Sequence, residues 1–339
     1  MSLEFRHIAH DYGEVPALHD VAFTAPAGEI TCLLGSSGCG KSTLLSLAAG
    51  LLPLQQGSVH VDGEMLAAPG LNPPPEARPI GLVFQDGALF PHITVARNVG
   101  FGLPKSERGA VEGWLEQVGL GGLGARYPHE LSGGQQQRAA LARAMAPGPR
   151  VLLMDEPFAS VDIVLRRRLR RDCRRLLRER GTTTVMVTHD PEEALDIADR
   201  IAVMEAGRIV QFGTPEELHE RPASAAIGAI FGGAQVMQAV REGDALRTLL
   251  GTWPLTSVGG SVPDARELEL LIHAETLDCE PDEGGQLALD VHPLGVASRV
   301  LLVTDGGEEI MIQTTSPVEQ GGRYRVIPRA KSMRAFAHN

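Results

Sequence analysis

Short apolar runs alternate with helical patterns along residues 1 to about 230. The apolar runs are nearly continuous, which is typical of strands that are buried on both faces. They lie at residues 29–34, 80–84, 151–154 and 183–187. Helical spacing of apolar positions occurs at residues 42–52, 135–145, 165–178 and 191–197. This alternation predicts an α/β domain whose central sheet is largely parallel.

The pattern changes after about Gly233. Short alternating runs follow at residues 267–272, 287–291, 299–303 and 308–312. The glycine-rich segments EPDEGG, TDGGEE and EQGGR separate them and indicate turns. The second pattern predicts a small antiparallel β-barrel. We therefore expect two domains, residues 1–232 and 233–339.

Composition limits the class of protein. The 339 residues carry 31 Lys+Arg against 42 Asp+Glu, a net charge of −11. This balance disfavours a nucleic-acid binder with a broad basic surface. The four cysteines are scattered without metal-ligand spacing, which predicts free thiols in a reducing compartment. Residues 44–54 form the longest nearly apolar run, shorter than the about 20 residues a membrane span needs. We expect a soluble, cytoplasmic chain.

A glycine-rich segment links the apolar run at residues 30–34 to the helical pattern that follows. Its sequence, GSSGCGKS, fits the phosphate-loop pattern G-x-x-x-x-G-K-[ST] in the strand-to-helix context that the pattern requires. The predicted binding residues are Gly35, Ser36, Ser37, Gly38, Cys39, Gly40, Lys41, Ser42 and Thr43. Backbone N–H groups and the helix start favour an anion, Lys41 reaches the β/γ phosphates, and the Ser42 hydroxyl suits Mg²⁺. The motif predicts a nucleoside triphosphate site.

Two further segments suit phosphate chemistry. Asp155 and Glu156 end an apolar strand, where the first carboxylate can join a magnesium shell and the second can polarise a water. Apolar strands often end in acidic residues, so this interpretation depends on the phosphate loop. A second anion cradle is predicted at a helix start, with the residues Ser132, Gly133, Gly134 and Gln135. A capped surface helix is the alternative, whereas a two-fold dimer would bring this cradle to the partner's nucleotide.

Five features of the sequence belong together: GSSGCGKST, Gln85, LSGGQ, LLMDEP and Thr188-His189-Asp190. In combination they resemble the ATP-binding subunit of an ABC transporter. The resemblance covers residues 1 to about 230 in order and spacing. It implies a P-loop ATPase fold, a head-to-tail homodimer and two ATP molecules between the subunits. It also implies that Tyr12 stacks on adenine, and that Gln85, Ser42 and Asp155 serve Mg²⁺.

The same resemblance assigns catalytic and dimer roles. Glu156 is then the general base, His189 contacts the γ-phosphate, and Gln85 senses the attacking water. Ser132 and Gly134 hold the γ-phosphate of the partner's nucleotide, and Asp162 belongs to a dimer-facing loop. That loop reads Ala-Ser-Val-Asp here, where the family usually has Ser-Ala-Leu-Asp. Taken singly, Tyr12 also fits a surface aromatic, and His189 a structural residue at a helix start.

The chain carries one uninterrupted cassette and no heptad stretch, which favours a transport ATPase over soluble ABC proteins of translation or DNA repair. We expect separate integral membrane permease subunits that dock on residues 86–101, and indirectly a periplasmic or extracellular substrate-binding protein. The expected location is peripheral, on the cytoplasmic face of the inner membrane. The C-terminal domain resembles the oligosaccharide/oligonucleotide-fold (TOBE-type) appendage of importer ATPases.

The cargo is less well determined by the residues. Residues 73–103 and the short β domain resemble ferric-iron importers most, while polyamine, sulfate, molybdate and sugar importers share nearly the same motifs. Nine arginines lie between Arg166 and Arg180, with apolar residues at helical spacing. They indicate a helix with a solvated basic face, or one attracted to an anionic membrane surface.

Overall fold

The chain divides into two units, Met1–Glu216 and Glu217–Asn339. The computed structural model describes residues 1–159, 161, 163–231 and 233–338, without the side chains of 163–165. The strands of the first unit are β1 (Leu3–Tyr12), β2 (Val15–Ala25), β3 (Ile30–Leu34), β4 (Gln56–Val61), β5 (Glu64–Ala67), β6 (Ile80–Val83), β7 (Val151–Asp155), β8 (Thr183–Thr188), β9 (Arg200–Glu205) and β10 (Arg208–Gly213). Its helices are α1 (Lys41–Ala49), α2 (Val95–Val99), α3 (Val111–Gln117), α4 (Gly133–Met145), α5 (Ile163–Arg180) and α6 (Pro191–Ile197), and α7 (Pro215–Glu220) crosses the boundary.

A largely parallel sheet lies at the centre of the first unit, in the order β10-β9-β3-β8-β7-β6. Only β10 runs antiparallel to its neighbour among these described strands. The register pairs Leu34 with Thr188 and Asp155 with Val187. The loops that follow β3, β7, β8 and β6 therefore open at one edge of the sheet, where ligands bind in open α/β folds. The predicted α/β class is confirmed.

A second, antiparallel sheet in the order β2-β1-β4-β5 shares a core with α1 and the central sheet. Phe5 and Phe23 stack at 4.8 Å between ring centroids, and both belong to this core together with Leu33, Leu44 and Val185. Helix α1 is therefore packed on its apolar face, which leaves its N-terminus at the edge where β3 ends. This packing fixes the position of the phosphate loop, because the loop connects β3 to the N-terminus of α1.

Helix α1 ends at Ala49, three residues before the predicted end at residue 52. Gly50 adopts a left-handed conformation, with φ of 79°, and its N–H bonds to the Leu47 carbonyl. The buried Arg78 guanidinium donates to the carbonyls of Leu47 and Ala48 at 2.9 and 2.6 Å. A Cβ on Gly50 would lie 2.5 Å from Arg78 Nε. The glycine therefore leaves room for the Arg78 guanidinium to bond to the carbonyls at the end of α1, and we call this set of bonds the Arg78 clamp.

The arginine-rich pattern forms α5, and four of its nine arginines contact acidic groups of α6 and the residue Asp199. Arg167 bonds to Glu192 at 2.8 Å, Arg170 lies 3.1 Å from Asp196, and Arg174 and Arg178 both contact Asp199. These contacts come from α6 and the residues after it, which pack beside α5. The pairing neutralises part of the positive charge of α5, while Arg168 and Arg171 are exposed on the same helix. In the described part of the chain, every helix is too short or too polar to span a membrane.

The second unit begins with α8 (Ala225–Ile230) and continues in antiparallel strands. These are β11 (Gln235–Glu242), β12 (Ala245–Thr248), β13 (Gly251–Pro254), β14 (Glu267–Ile272), β15 (Leu277–Leu294), β16 (Ala297–Val303), β17 (Glu309–Thr314), β18 (Arg323–Pro328) and β19 (Met333–Ala337). They form two sheets, β13-β12-β11-β14-β19 and β17-β16-β15-β18, around a shared apolar core. The predicted small β-barrel class is confirmed. Helix α8 lies in this unit and packs on β14, with Gly228 closely against Leu271.

The prediction of a turn at EPDEGG is wrong. The segment lies inside β15, which pairs with β18 on both sides of it. Pro281 and Gln286 both pair with Tyr324, so the residues between them form a bulge in one continuous strand. A Cβ on Gly285 would overlap the Tyr324 carbonyl group, which is why a glycine stands there. Local glycine and proline content resembles a turn, whereas pairing with β18 makes it a bulge.

Candidate nucleotide-binding site

The phosphate loop curves between β3 and α1 at the carboxyl edge of the central sheet. Gly38 and Gly40 have φ values of 85° and 103°, which L side chains rarely adopt. A Cβ on Gly40 would lie 2.6 Å from the Ala17 carbonyl oxygen, and one on Gly35 would overlap the Met204 carbonyl oxygen. The glycines therefore allow both the curve of the loop and its close contact with β2 and β9.

Neighbouring strands brace the loop. The Gly207 N–H donates to the Cys39 carbonyl at 3.1 Å, and the His19 N–H donates to the Gly207 carbonyl at 2.8 Å. Cys39 itself is buried, with its Sγ 3.7 Å from Lys41 Nζ. The loop is thus held in its curved form by backbone hydrogen bonds to the turn between β9 and β10.

Lys41 places a positive charge inside the curve. Only 5% of its surface is exposed, and Nζ donates to the carbonyls of Gly35 and Ser36, each at 2.8 Å. The first N–H groups of the nine-residue helix α1 face the same region. A buried ammonium beside a helix N-terminus is suited to a phosphate group.

Ser42 and Asp155 meet at the end of β7. The Ser42 hydroxyl donates to Asp155 Oδ1 at 3.2 Å. Burial raises the pKa of Asp155 above its usual range, and this hydrogen bond offsets part of the rise. The described residues hold no group of three or more His, Cys, Asp or Glu side chains that could hold a metal unaided. The pair suits Mg²⁺, which binds through one or two carboxylates together with substrate phosphates.

Glu156 and His189 form a second pair beside the first. His189 Nδ1 lies 3.0 Å from Glu156 Oε1. Glu156 has a positive φ of 40°, and its N–H donates to the Val187 carbonyl at 3.0 Å. Such a conformation is uncommon for a residue other than glycine and costs backbone strain, which often marks functional positions. Glu156 thus combines a strained backbone with a carboxylate that contacts His189 at the edge of the sheet.

Gln85 and Tyr12 lie at the rim of this region. Gln85 is exposed two residues after β6, whose neighbour β7 ends at Asp155. The Tyr12 hydroxyl lies 3.4 Å from Thr43 Oγ1, and its ring packs edge-on against His10 with 4.9 Å between centroids. The Tyr12 side chain is 52% exposed, so one ring face is available for stacking. Both residues lie next to the elements that carry the predicted site.

The LSGGQ segment forms the exposed start of α4. Gln135 Oε1 accepts the Ser132 N–H at 2.9 Å, and both Ser132 and Gly133 are exposed. The predicted dimer-facing Asp162 lies outside the described residues. The phosphate loop, the Ser42–Asp155 pair and the Glu156–His189 pair therefore lie together at one edge of the central sheet. The LSGGQ segment has no hydrogen bond to the phosphate loop among the described residues.

The sequence interpretation missed residues that support the site. Arg143 of α4 donates to the carbonyls of Gly87 and Ala88 at 3.0 and 2.6 Å, which shapes the loop after Gln85. The buried Asn98 accepts the Phe90 N–H at 2.8 Å and donates back to the Phe90 carbonyl at 3.1 Å. Glu193 is buried next to Thr188. A polar residue on an apolar helical face was the signal available for Asn98 and Glu193.

Comparisons with known proteins agree with this geometry. The ABC transporter family model matches residues 18–159. The Fe(3+) ions import ATP-binding protein FbpC of Pseudomonas fluorescens is 45% identical over 259 residues, which are 75% of this chain and 73% of that protein. The spermidine/putrescine import ATP-binding protein PotA of Methylococcus capsulatus is 41% identical over 322 residues, 90% of this chain and 83% of that protein.

A solved structure shows the same likeness. The structure of cbiO1 from Clostridium perfringens, part of the ABC transporter complex cbiONQ, matches with a TM-score of 0.59 at 30% identity. The match covers 68% of this chain and 94% of that one. Sequence, fold and site geometry thus agree, and the chain belongs to the ABC transporter family as one of its ATP-binding proteins.

Proposed function

We propose that this chain is the ATP-hydrolysing motor subunit of a binding-protein-dependent importer. The observation that carries the proposal is the Glu156–His189 pair, which lies at the same sheet edge as the phosphate loop and the Ser42–Asp155 pair. A phosphate loop alone is compatible with many nucleotide-binding proteins. A carboxylate held next to an imidazole at this position adds the groups that hydrolysis needs.

ATP binding follows from the charges of the loop. Lys41 exchanges its hydrogen bonds with the loop carbonyls for bonds to the β/γ phosphates, and the N–H groups of the α1 start bind the same oxygens. Tyr12 stacks on the adenine. Ser42, Asp155 and Gln85 would hold Mg²⁺, which when bound neutralises charge on the β and γ phosphate oxygens.

Hydrolysis uses Glu156 as the general base. Its carboxylate takes a proton from a water, the water oxygen forms a bond to the γ-phosphorus, and the bond to the bridging β–γ oxygen breaks. ADP and inorganic phosphate are the products. His189 keeps the carboxylate in position through Nδ1 and contacts the γ-phosphate with its other ring nitrogen, which donates when the imidazole is protonated.

The LSGGQ segment completes the site in trans. Ser132 and Gly133 are exposed at the start of α4, whereas Gln135 is half-buried and Gly134 is buried. The exposed start of this helix is accessible to another molecule. In a head-to-tail homodimer, the backbone donors of this helix start bind the γ-phosphate that the partner holds in its phosphate loop. ATP therefore closes the dimer, and hydrolysis with phosphate release opens it.

Permease subunits dock on the surface that follows Gln85. Phe90 and Phe101 of this surface border a cavity of about 510 Å³, to which Phe84 also contributes just before Gln85, and Phe101 is 61% exposed. Phe90 and Phe101 contact each other at 4.5 Å between centroids, and Arg143 lies over the Phe90 ring. An exposed aromatic groove supports binding of an apolar helix end. Its continuity with Gln85 supports coupling between docking and the nucleotide site.

The proposed cargo is ferric iron, with polyamine, sulfate, molybdate or sugar as alternatives. Iron-import, polyamine-import and sulfate-import relatives are 45%, 41% and 51% identical over 259, 322 and 228 residues, so identity does not separate these cargoes. The resemblance of residues 73–103 to ferric-iron importers supports iron. The chain would act at the cytoplasmic face of the inner membrane and receive its signal from a periplasmic or extracellular binding protein. The second unit would serve regulation or dimer contact.

The Glu156→Gln variant tests the motor function. We expect it to bind ATP and Mg²⁺ as the wild type does, to lose turnover, and to accumulate as an ATP-bound dimer in sedimentation experiments. Glu107→Gln, which alters an exposed carboxylate in another region, should hydrolyse ATP normally. Hydrolysis at the wild-type rate in Glu156→Gln would exclude Glu156 as the base.

A second experiment tests the cargo. The chain is purified with its permease subunits and binding protein, and the binding protein is tested by thermal shift with Fe³⁺, spermidine and sulfate. We expect stabilisation by Fe³⁺ alone. Stabilisation by another ligand, with ATP hydrolysis stimulated by that ligand, would reassign the cargo and leave the motor function intact.

A further inference from the structure

A small cavity lies behind the Glu156–His189 pair. It has a volume of about 70 Å³, and Glu156, Arg166, Thr188, His189 and Glu193 all contribute to its wall. Three different segments meet there: the end of β7, the first turns of α5, and the turn from β8 into α6. The cavity therefore joins the catalytic pair to polar groups that the proposed hydrolysis does not use.

Glu193 is the buried carboxylate of this cavity. It is 5% exposed, and the Thr188 hydroxyl donates to its Oε2. Its Oε1 is buried without a hydrogen-bond partner among the described residues. A carboxylate is seldom buried unless hydrogen bonds or opposite charges compensate for its lost hydration. Arg166 and Arg170 of α5 supply the compensating positive charge.

Thr188 transmits the position of Glu193 to the turn that carries His189. Its hydroxyl donates to Glu193, and the same oxygen accepts the Asp190 N–H at 3.0 Å. Asp190 in turn caps α6 by accepting the Glu192 N–H at 2.9 Å. His189 lies between these two anchored residues. Its backbone, and hence the direction of its ring towards Glu156, is determined by the hydroxyl that Glu193 orients.

Arg166 connects the same cavity to the chain that follows Glu156. Its Nη2 donates to the Val161 carbonyl at 2.9 Å and approaches the Ala159 carbonyl at 3.4 Å. Its Nε is buried without a hydrogen-bond partner in the described ranges, as is Glu193 Oε1. Opposite charges thus face each other across the cavity. The Glu193 carboxylate holds the turn that carries His189, and the Arg166 guanidinium holds the segment that follows Glu156.

We propose that Glu193 is a positioning residue for ATP hydrolysis, which holds His189 against Glu156 through the Thr188 hydroxyl. It does not touch the nucleotide. This inference depends on the proposed motor function, since it assigns Glu193 to the same reaction. It goes beyond that function because it places a determinant of turnover in a buried group outside the nucleotide site.

The test compares Thr188→Val, Glu193→Ala and His189→Ala in the full chain, singly and in pairs. Thr188→Val keeps the shape of the side chain and replaces the hydroxyl with a methyl group. We expect Thr188→Val and Glu193→Ala each to lower kcat by about 10- to 100-fold with KM for ATP unchanged, because a misplaced group costs turnover and not binding. In the His189→Ala background, neither change should lower kcat further.

The matched control is Thr184→Val. Thr184 lies on the same strand, is fully buried, and donates to the Thr182 carbonyl at 3.2 Å, away from the turn. Loss of the Thr184 hydroxyl should leave kcat unchanged. Thermal unfolding is recorded for every variant, and Thr188→Val carries the test if Glu193→Ala does not fold.

Two results would overturn the inference. One is an unchanged kcat in Thr188→Val, and the other is a loss of the same factor with and without His189. A wild-type chain that does not hydrolyse ATP would refute the proposed function itself. The two failures are therefore distinguishable.

Discussion

His189 Nδ1 lies 3.0 Å from Glu156 Oε1, although 33 positions separate the two residues in the chain. The contact arises because β7 and β8 are parallel neighbours, with Asp155 paired with Val187. Each strand delivers one polar residue just past its carboxyl end. The pair thus depends on sheet register as much as on the identity of the two residues.

Replacing His189 by Ala should reduce ATP turnover by about 10²- to 10⁴-fold, because the general base loses the group that orients it. ADP affinity should not change, since His189 is proposed to contact only the γ-phosphate. Steady-state kinetics and ADP titration measure the two effects. His292→Ala, which removes an exposed imidazole of the second unit, is the control. Equal losses of turnover in the two variants would contradict the catalytic role of His189.

Replacing Asp155 by Asn should weaken ATP binding only when Mg²⁺ is present. The amide keeps the contact with Ser42 and removes the negative charge that a hard cation needs. We expect a loss of affinity of about 10- to 100-fold with Mg²⁺ and none in a chelator, by calorimetry. Asp244→Asn, at an exposed position, should behave as the wild type in both conditions. A loss that persists in the chelator would show that Asp155 acts on the fold and not on the metal.

Replacing Arg78 by Met should destabilise the first unit. The guanidinium bonds to carbonyls at the end of α1, to the Pro73 carbonyl at 2.9 Å and to Asn72 Oδ1 at 2.7 Å. Methionine fills the space and leaves these acceptors without a donor, so we expect a loss of about 2–4 kcal/mol in the free energy of unfolding. Urea denaturation measures it. The exposed Arg108→Met should change stability little, and equal losses in the two variants would refute the clamp.

The stability of the chain should depend on pH through Glu193. Burial raises the pKa of Glu193 above its ordinary value of 4.5, while the Thr188 hydrogen bond and Arg170 oppose the rise. Between 4.5 and the raised pKa the folded chain binds more protons than the unfolded chain. The contribution of Glu193 to the free energy of unfolding therefore falls as pH rises through this window and is constant outside it.

The Glu193→Gln variant lacks this contribution. Its free energy of unfolding, minus that of the wild type, should thus increase as pH rises from about 4.5, in urea titrations at several pH values. Glu192→Gln is the control, because Glu192 is exposed on the same helix. A difference that stays constant with pH would show that Glu193 does not titrate in this range.

Much of the first unit is predictable because its signals are local. Helix α6 occupies residues 191–197 as expected, since Asp190 caps it and Pro191 starts it. The phosphate loop is predictable for the same reason, because its glycines and Lys41 are contiguous. The end of α1 was misplaced because Arg78, which clamps it, lies 31 positions from Leu47. The bulge in β15 was missed because only pairing with β18 distinguishes it from a turn.

The sequence by itself determined the nucleotide chemistry of this protein, since the residues that bind phosphate follow one another and set their own backbone. Tertiary structure decided which distant groups meet. Ser42 and Asp155 are 113 positions apart, and the register of the central sheet brings them within a hydrogen bond. Glu193 acquired its proposed role in the same way, because burial beside Thr188 and the arginines of α5 turns a helical carboxylate into a support for His189. These contacts result from long-range packing, so no local sequence pattern predicts them.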